Sequence, residues 1–128
     1  MGFTRYWSIK ADLPKTRFRK AASDVRRMLK DEGATVAWEC DSHKVPQCNV
    51  NGVRFNGINE DGHETFGFFP FETGFDFCKT ARKEYDLYVY ATLLIFQGYF
   101  PDIVIIDSDG DGDYDDMARS LAVKYMTD

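Results

Sequence analysis

An α+β fold is predicted by three features of the sequence. Two long segments, 14–30 and 79–97, carry apolar residues at helical spacing. Short stretches rich in β-branched and aromatic residues lie between and around them. These stretches come in runs and do not alternate strictly with the helices, which favours an antiparallel or mixed sheet with helices on one face. A ferredoxin-like split βαβ arrangement is the specific topology expected. At 128 residues, 44% apolar and 16% aromatic, the chain suits one domain, taken as 1–128, because a chain of this size buries about two-thirds of its unfolded surface.

Taken in order, Phe3–Ile9 mixes aromatic and β-branched residues and reads as a strand. Pro14 suits the first turn of a helix, where its missing N–H has no partner to lose. Phe18, Ala22, Val25 and Leu29 then recur every three to four residues until Gly33. Ala34–Glu39 and Val53–Phe55 are expected strands, with Cys40–Gly52 a loop between them. Asn56-Gly57 and Asp61-Gly62 are turn dipeptides, and His63–Phe69 alternates like a strand. After the turn Pro70–Gly74, Phe75–Phe77 reads as a short strand before a helix from about Lys79 to Gln97, apolar nearly all round from Leu87 to Phe96. Gly98 and Pro101 end it, Asp102–Ile106 reads as a strand, and Tyr114, Met117, Leu121 and Tyr125 mark a last helix.

Charge is uneven. Residues 1–30 hold nine basic and two acidic side chains, whereas 102–128 hold two and eight, within a net charge of 16 − 21 = −5. That acidity makes nucleic acid an unlikely partner, since it opposes a phosphate backbone. No apolar run reaches the ~20 residues of a membrane span, and the opening MGFTRYWSIK lacks a signal-peptide core. A soluble, cytoplasmic protein is expected, with Cys40, Cys48 and Cys78 as reduced thiols.

The sharpest local feature is Cys78-Lys79-Thr80-Ala81-Arg82-Lys83. A helix beginning near Lys79 would place free N–H groups and the positive dipole end beside Lys79, Thr80, Arg82 and Lys83, in outline an anion site. The alternative is that these cations pair with Glu84, Asp86 or Glu64. His63-Glu64 is an acid–base candidate, and Cys78 with His63 or Glu64 would form a nucleophile and its base. Burial between aromatic neighbours instead predicts a slow, structural Cys78. Asp107, Asp109, Asp111 and Asp113 fall on positions 1, 3, 5 and 7 of a calcium-type loop, yet position 12 is Ala118 where an EF-hand has Glu. Weak Ca²⁺ or Mg²⁺ binding is the most this pattern supports, and no other cofactor is expected. Cys40, His43 and Cys48 offer three soft ligands where zinc takes four.

The words FNG (Phe55–Gly57), HETF (His63–Phe66), FCKTARK followed by Tyr85-Asp86, and SDG (Ser108–Gly110), with the opening Gly2–Trp7, resemble an uncharacterised family of small bacterial and bacteriophage proteins. The family has Pro where this chain has Glu84, and Cys40, His43 and Cys48 lie outside the matching words. By association the resemblance implies a host-takeover or defence-evasion role in a host cytoplasm. Three functions follow from the residues. The first is a non-enzymatic module holding a small anionic, nucleotide-like ligand at Lys79–Lys83, with Tyr6, Trp7, Tyr85 or Phe66 stacking on a base. The second is an acidic protein-interaction module that inhibits a host nucleic-acid enzyme through Asp107–Asp116. The third is an enzyme using Cys78 with His63 or Glu64.

Overall fold

The computed structural model describes residues 2–127; Met1 and Asp128 of the expected 1–128 domain lie outside them. Seven strands and three helices follow one another as β1 (Thr4–Ile9), α1 (Lys15–Asp31), β2 (Val36–Ala37), β3 (Gln47–Asn49), β4 (Gly52–Gly57), β5 (Phe66–Phe68), β6 (Gly74–Lys79), α2 (Asp86–Tyr99), β7 (Val104–Ser108) and α3 (Asp115–Tyr125). This is an α+β fold with antiparallel sheets, as the grouping of strands predicts.

The strands form two sheets. One has the order β6-β1-β7, and in the other β4 pairs with β2, β3 and β5. All of these pairings are antiparallel. β6 and β7 each run antiparallel to β1 and are therefore parallel to one another, and α2 joins them with β1 between, which is the split βαβ unit expected. A single ferredoxin-like sheet is not completed, because β2, the strand after α1, lies in the other sheet. The sheets touch where the Glu64 N–H donates to the Lys79 carbonyl at 3.2 Å. Cys40–Gly52, expected as loop throughout, contains β3, because Cys48 pairs with Val53 across the Asn49–Gly52 turn.

One side of the sheets meets the helices. Trp7, Ile9, Val53, Phe55, Phe66, Phe68 and Val104 are buried with Phe18, Ala22 and Val25 of α1 and with Val89, Leu93 and Phe96 of α2. Aromatic contacts tie these layers: Trp7 meets Phe66 edge-on at 5.3 Å, and Phe96 lies 4.5 Å from Phe68 and 4.8 Å from Phe18. The alternation of β5 therefore turns Phe66 and Phe68 inward, while Tyr6, Phe75 and Phe77 face away from the helices.

The second helix starts seven residues later than its periodicity predicts. Lys79 is the last residue of β6 and pairs with Thr4. The chain then reverses through Ala81 and Arg82, which take left-handed backbone angles (φ 54° and 58°). The helix opens at Asp86, a carboxylate that suits the positive dipole end. Lys79, Arg82 and Lys83 precede that helix, so their charge does not oppose its dipole. No helix among the described residues is long and apolar enough to cross a membrane.

Candidate functional site

Residues expected to make an anion site instead surround a buried ion cluster built on Arg5, a residue the sequence reading passed over. Arg5 points inward from β1, and its guanidinium is fully buried. Its Nε and Nη2 donate to the two carboxylate oxygens of Asp86 at 2.9 and 2.6 Å, Nη2 also to Asp115 at 2.7 Å, and Nη1 to the Ser108 hydroxyl at 2.8 Å. The Tyr90 and Phe3 rings lie 4.0 and 4.7 Å from the guanidinium carbon. Burial alone would lower the Arg5 pKa, but Asp86 and Asp115 outweigh it and raise it. Partial burial likewise pushes the Asp115 carboxyl up, yet the Gly112 N–H and Arg5 hold it below its usual value.

Thr80 is buried and gives its hydroxyl to Asp86 at 2.8 Å. Arg82 lies 4.4 Å from the Phe3 ring and donates to the Asp111 carbonyl at 3.1 Å, with Asp113 at 3.5 Å. Lys79 and Lys83 stand at the rim. The turn thus closes on acids of the molecule itself.

The aspartate run is folded over the same cluster. Asp109 accepts from the Tyr6 hydroxyl at 2.6 Å and from the Thr4 N–H at 3.0 Å, Asp113 faces Arg82, and Asp115 faces Arg5. A Cβ on Gly112 would sit 2.5 Å from Arg5 Nη2 and 2.7 Å from the Asp115 carboxylate. Close approach to Arg5 therefore explains that glycine without a calcium loop. Among the described residues, no three His, Cys, Asp or Glu side chains converge as metal ligands. Asp107 and Asp111 stay exposed at the surface. Cys40 and His43 line one cavity of 480 Å³ and Cys48 another of 520 Å³, so the zinc set is divided.

The third group stands at the junction of the sheets. Asn56 is buried; it accepts the His63 N–H at 3.1 Å and donates to the His63 carbonyl at 3.0 Å and the Thr65 hydroxyl at 3.1 Å. The His63 side chain is exposed. The Glu64 carboxylate accepts the Lys79 N–H at 2.8 Å, and its carbonyl accepts from the Tyr85 hydroxyl at 2.6 Å and the Cys78 thiol at 3.4 Å. Burial pushes the Cys78 thiol up to about 12, so it holds no thiolate at neutral pH. Cys78 and Glu64 meet through the Glu64 carbonyl, a contact that closes the sheet seam.

What remains open is the outer face of β6-β1-β7. Phe75 is 66% exposed, and Phe77 and Ile105 are each 43% exposed. Tyr6 stacks on Phe75 with centroids 5.9 Å apart, and Phe77 lies 6.5 Å from Tyr6 and 6.2 Å from Phe75, the three rings tilted by 24° to 44°. They form a shallow platform of mutually tilted rings. The strand register explains it: Tyr6 pairs with Phe77 and Ser8 with Phe75, while Asp107 and Ile105 flank them on β7. Two carboxylates stand at this rim, Asp107 and Asp109, against one ammonium, Lys79, 6.0 Å from the Phe77 ring; Asp76 pairs with Trp7 and so points to the other face of β6. Hydrogen bonding to Asp109 raises the Tyr6 phenol pKa. Of the four aromatic residues considered for stacking on a base, Trp7, Phe66 and Tyr85 are buried, and Tyr6 alone reaches this face. Period-two spacing of Phe75 and Phe77 was the signal available in the sequence. Compared with family models, curated proteins and solved structures, the chain matches none.

Proposed function

We propose that the chain is a non-enzymatic protein-interaction module, and that the platform of Tyr6, Phe75 and Phe77 docks an arginine-bearing apolar segment of a partner protein. The observation that carries this reading is the exposed three-ring ladder beside Ile105 with carboxylates at its rim. Contiguous exposed apolar surface ringed by polar groups is how interaction sites differ from ordinary surface. Flat aromatic faces accept a guanidinium by stacking, and Asp107 and Asp109 supply the counter-charge. The same carboxylates disfavour a nucleic-acid strand, whose phosphates they would repel. The reading keeps the acidic-module hypothesis and moves its contact surface from the aspartate run to the sheet face beside it. A nucleotide-like ligand at Lys79–Lys83 is less well supported, because Arg82 and Thr80 already have acidic partners. The resemblance to phage proteins suggests a host protein as the source of the segment.

Synthetic peptides alternating Arg with Val or Leu test this directly against versions carrying Glu for Arg. The Arg peptide is expected to bind with an affinity that falls as salt rises. Phe75→Ser/Phe77→Ser should abolish binding while leaving the melting temperature within a few degrees, because both side chains are largely solvent-exposed. Equal binding of the Glu peptide, or undiminished binding by the double variant, would refute the proposal.

A further inference from the structure

On the opposite side of the fold, α1 and the β2–β3 segment enclose a groove of 520 Å³ that none of the contacts above uses. Its walls are mainly apolar, with Leu29 from α1, Ala34 and Val36 beyond the helix, and Val45, Pro46 and Cys48 from the loop and β3, while Gln47 and Asn49 of β3 add uncharged polar groups. Val45 is 82% exposed at its mouth. The charged residues of the lining are Arg26 and Lys30, one turn apart on α1; no carboxylate lines it. Neither cation forms a salt bridge among the described residues, although their neighbour Arg27 pairs with Asp24. Burial beside this groove pushes the Cys48 thiol up to about 12, leaving the wall neutral.

We infer that this groove binds a small amphiphile with a single anionic head, its alkyl body against Val36, Val45 and Leu29 and its head between Arg26 and Lys30. Three properties carry the assignment. The volume lies within the ~300–1,000 Å³ of small-molecule sites. The wall is apolar with a few convergent polar groups, the usual lining of such sites. Both of its charges are positive, which in an otherwise acidic chain selects for anions and against cations. The guanidinium fork of Arg26 suits the planar oxygens of a carboxylate and also a phosphate monoester. The shared chemistry is an anionic head on an apolar chain.

Titration calorimetry of the full chain with octanoate and with octyl phosphate, below micellar concentration, tests the inference, with octanol and octyltrimethylammonium as controls. At least one of the two anions is expected to bind, the stronger identifying the head group, and chemical-shift changes should centre on Ala34, Val36 and Val45. Arg26→Glu/Lys30→Glu should weaken binding by at least about tenfold, the scale of one lost charge-assisted contact. Arg26→Gln/Lys30→Gln gives the same reading without charge reversal, and both side chains are exposed enough to be changed without loss of the fold. Val45→Asp should weaken binding through the apolar wall. The inference is overturned if neither anion binds, if octanol binds as well as the anions, if the charge variants bind undiminished, or if the shifts centre on Phe75 and Phe77. An acidic peptide that binds the groove more tightly than either amphiphile would also overturn it, by making it a protein-docking site.

Discussion

Replacing Arg5 by Met would expose what the buried cluster contributes. The substitution keeps an unbranched apolar side chain of similar reach but removes four hydrogen bonds, two to Asp86, one to Asp115 and one to Ser108. Asp86 would remain fully buried with the Thr80 hydroxyl as its side-chain donor. Removing one partner of a buried pair costs about 3–5 kcal/mol, because the other charge is left uncompensated. That is a large share of the ~5–15 kcal/mol that holds a domain folded. With an unfolding entropy of ~2.1 cal/mol/K per residue, a loss of ~4 kcal/mol over 128 residues lowers the melting temperature by roughly 15 °C. The assay is urea denaturation followed by Trp fluorescence and far-UV circular dichroism, with an unchanged m-value confirming that the difference lies in stability. Arg5→Met/Asp86→Leu removes both charges and should recover to within about 1–2 kcal/mol of wild type, since an apolar replacement of a buried pair is often neutral. The pH dependence has a definite sign. Asp115 is held below its unfolded pKa, so its contribution is present above about pH 4 and is lost as pH falls through the folded value. Arg5 is one of the groups holding it down, so the gap between wild type and Arg5→Met should be widest near neutral pH and narrow in acid. A single-variant loss below ~1 kcal/mol at pH 7, or a double variant no more stable than the single, would refute this account.

Two further outcomes follow from the seam between the sheets. Asn56→Ala leaves the His63 N–H and carbonyl without their buried partner and should cost about 2–3 kcal/mol in the same denaturation assay; an effect within ~0.5 kcal/mol, the scale of an ordinary surface substitution, would show that the clamp is dispensable. In the Cys40→Ser/Cys48→Ser background, iodoacetamide should label Cys78 slowly at pH 8 and rapidly only in urea, because burial lifts its pKa to about 12. Fast labelling of the folded protein with a midpoint below about pH 7 would restore Cys78 as a nucleophile.

How far the sequence could be read differs from residue to residue for identifiable reasons. Phe18, Ala22, Val25 and Leu29 announce α1 because helical period and burial coincide on one face, and all four are buried in the structure. The buried run Leu87–Phe96 is likewise plain, but its N-terminal boundary is not. Phe77–Lys83 is equally compatible with a strand end or a helix entry, and pairing with Thr4–Tyr6, more than seventy positions away, decides for the strand. The expectation of a slow Cys78 rests on burial among its aromatic neighbours, and the thiol is buried even though Phe75 and Phe77 point outward.

Local pattern alone determined the class of the fold, the existence and apolar faces of its helices and the shared face of period-two residues such as Phe75 and Phe77, since these depend only on spacings of two to four residues along the chain. Tertiary structure decided the rest. Arg5 is a lone cation in an aromatic strand until residues 81 and 110 positions away bring it Asp86 and Asp115. Which face of β6 meets water is set by where α1 and α2 lie, and no alternation within β6 carries that information. Long-range placement follows from the summed packing of the whole core, so Arg82, one of the cations that looked available for a ligand at Lys79–Lys83, is engaged within the fold, and the surface left open is one that spacing alone could not distinguish from core.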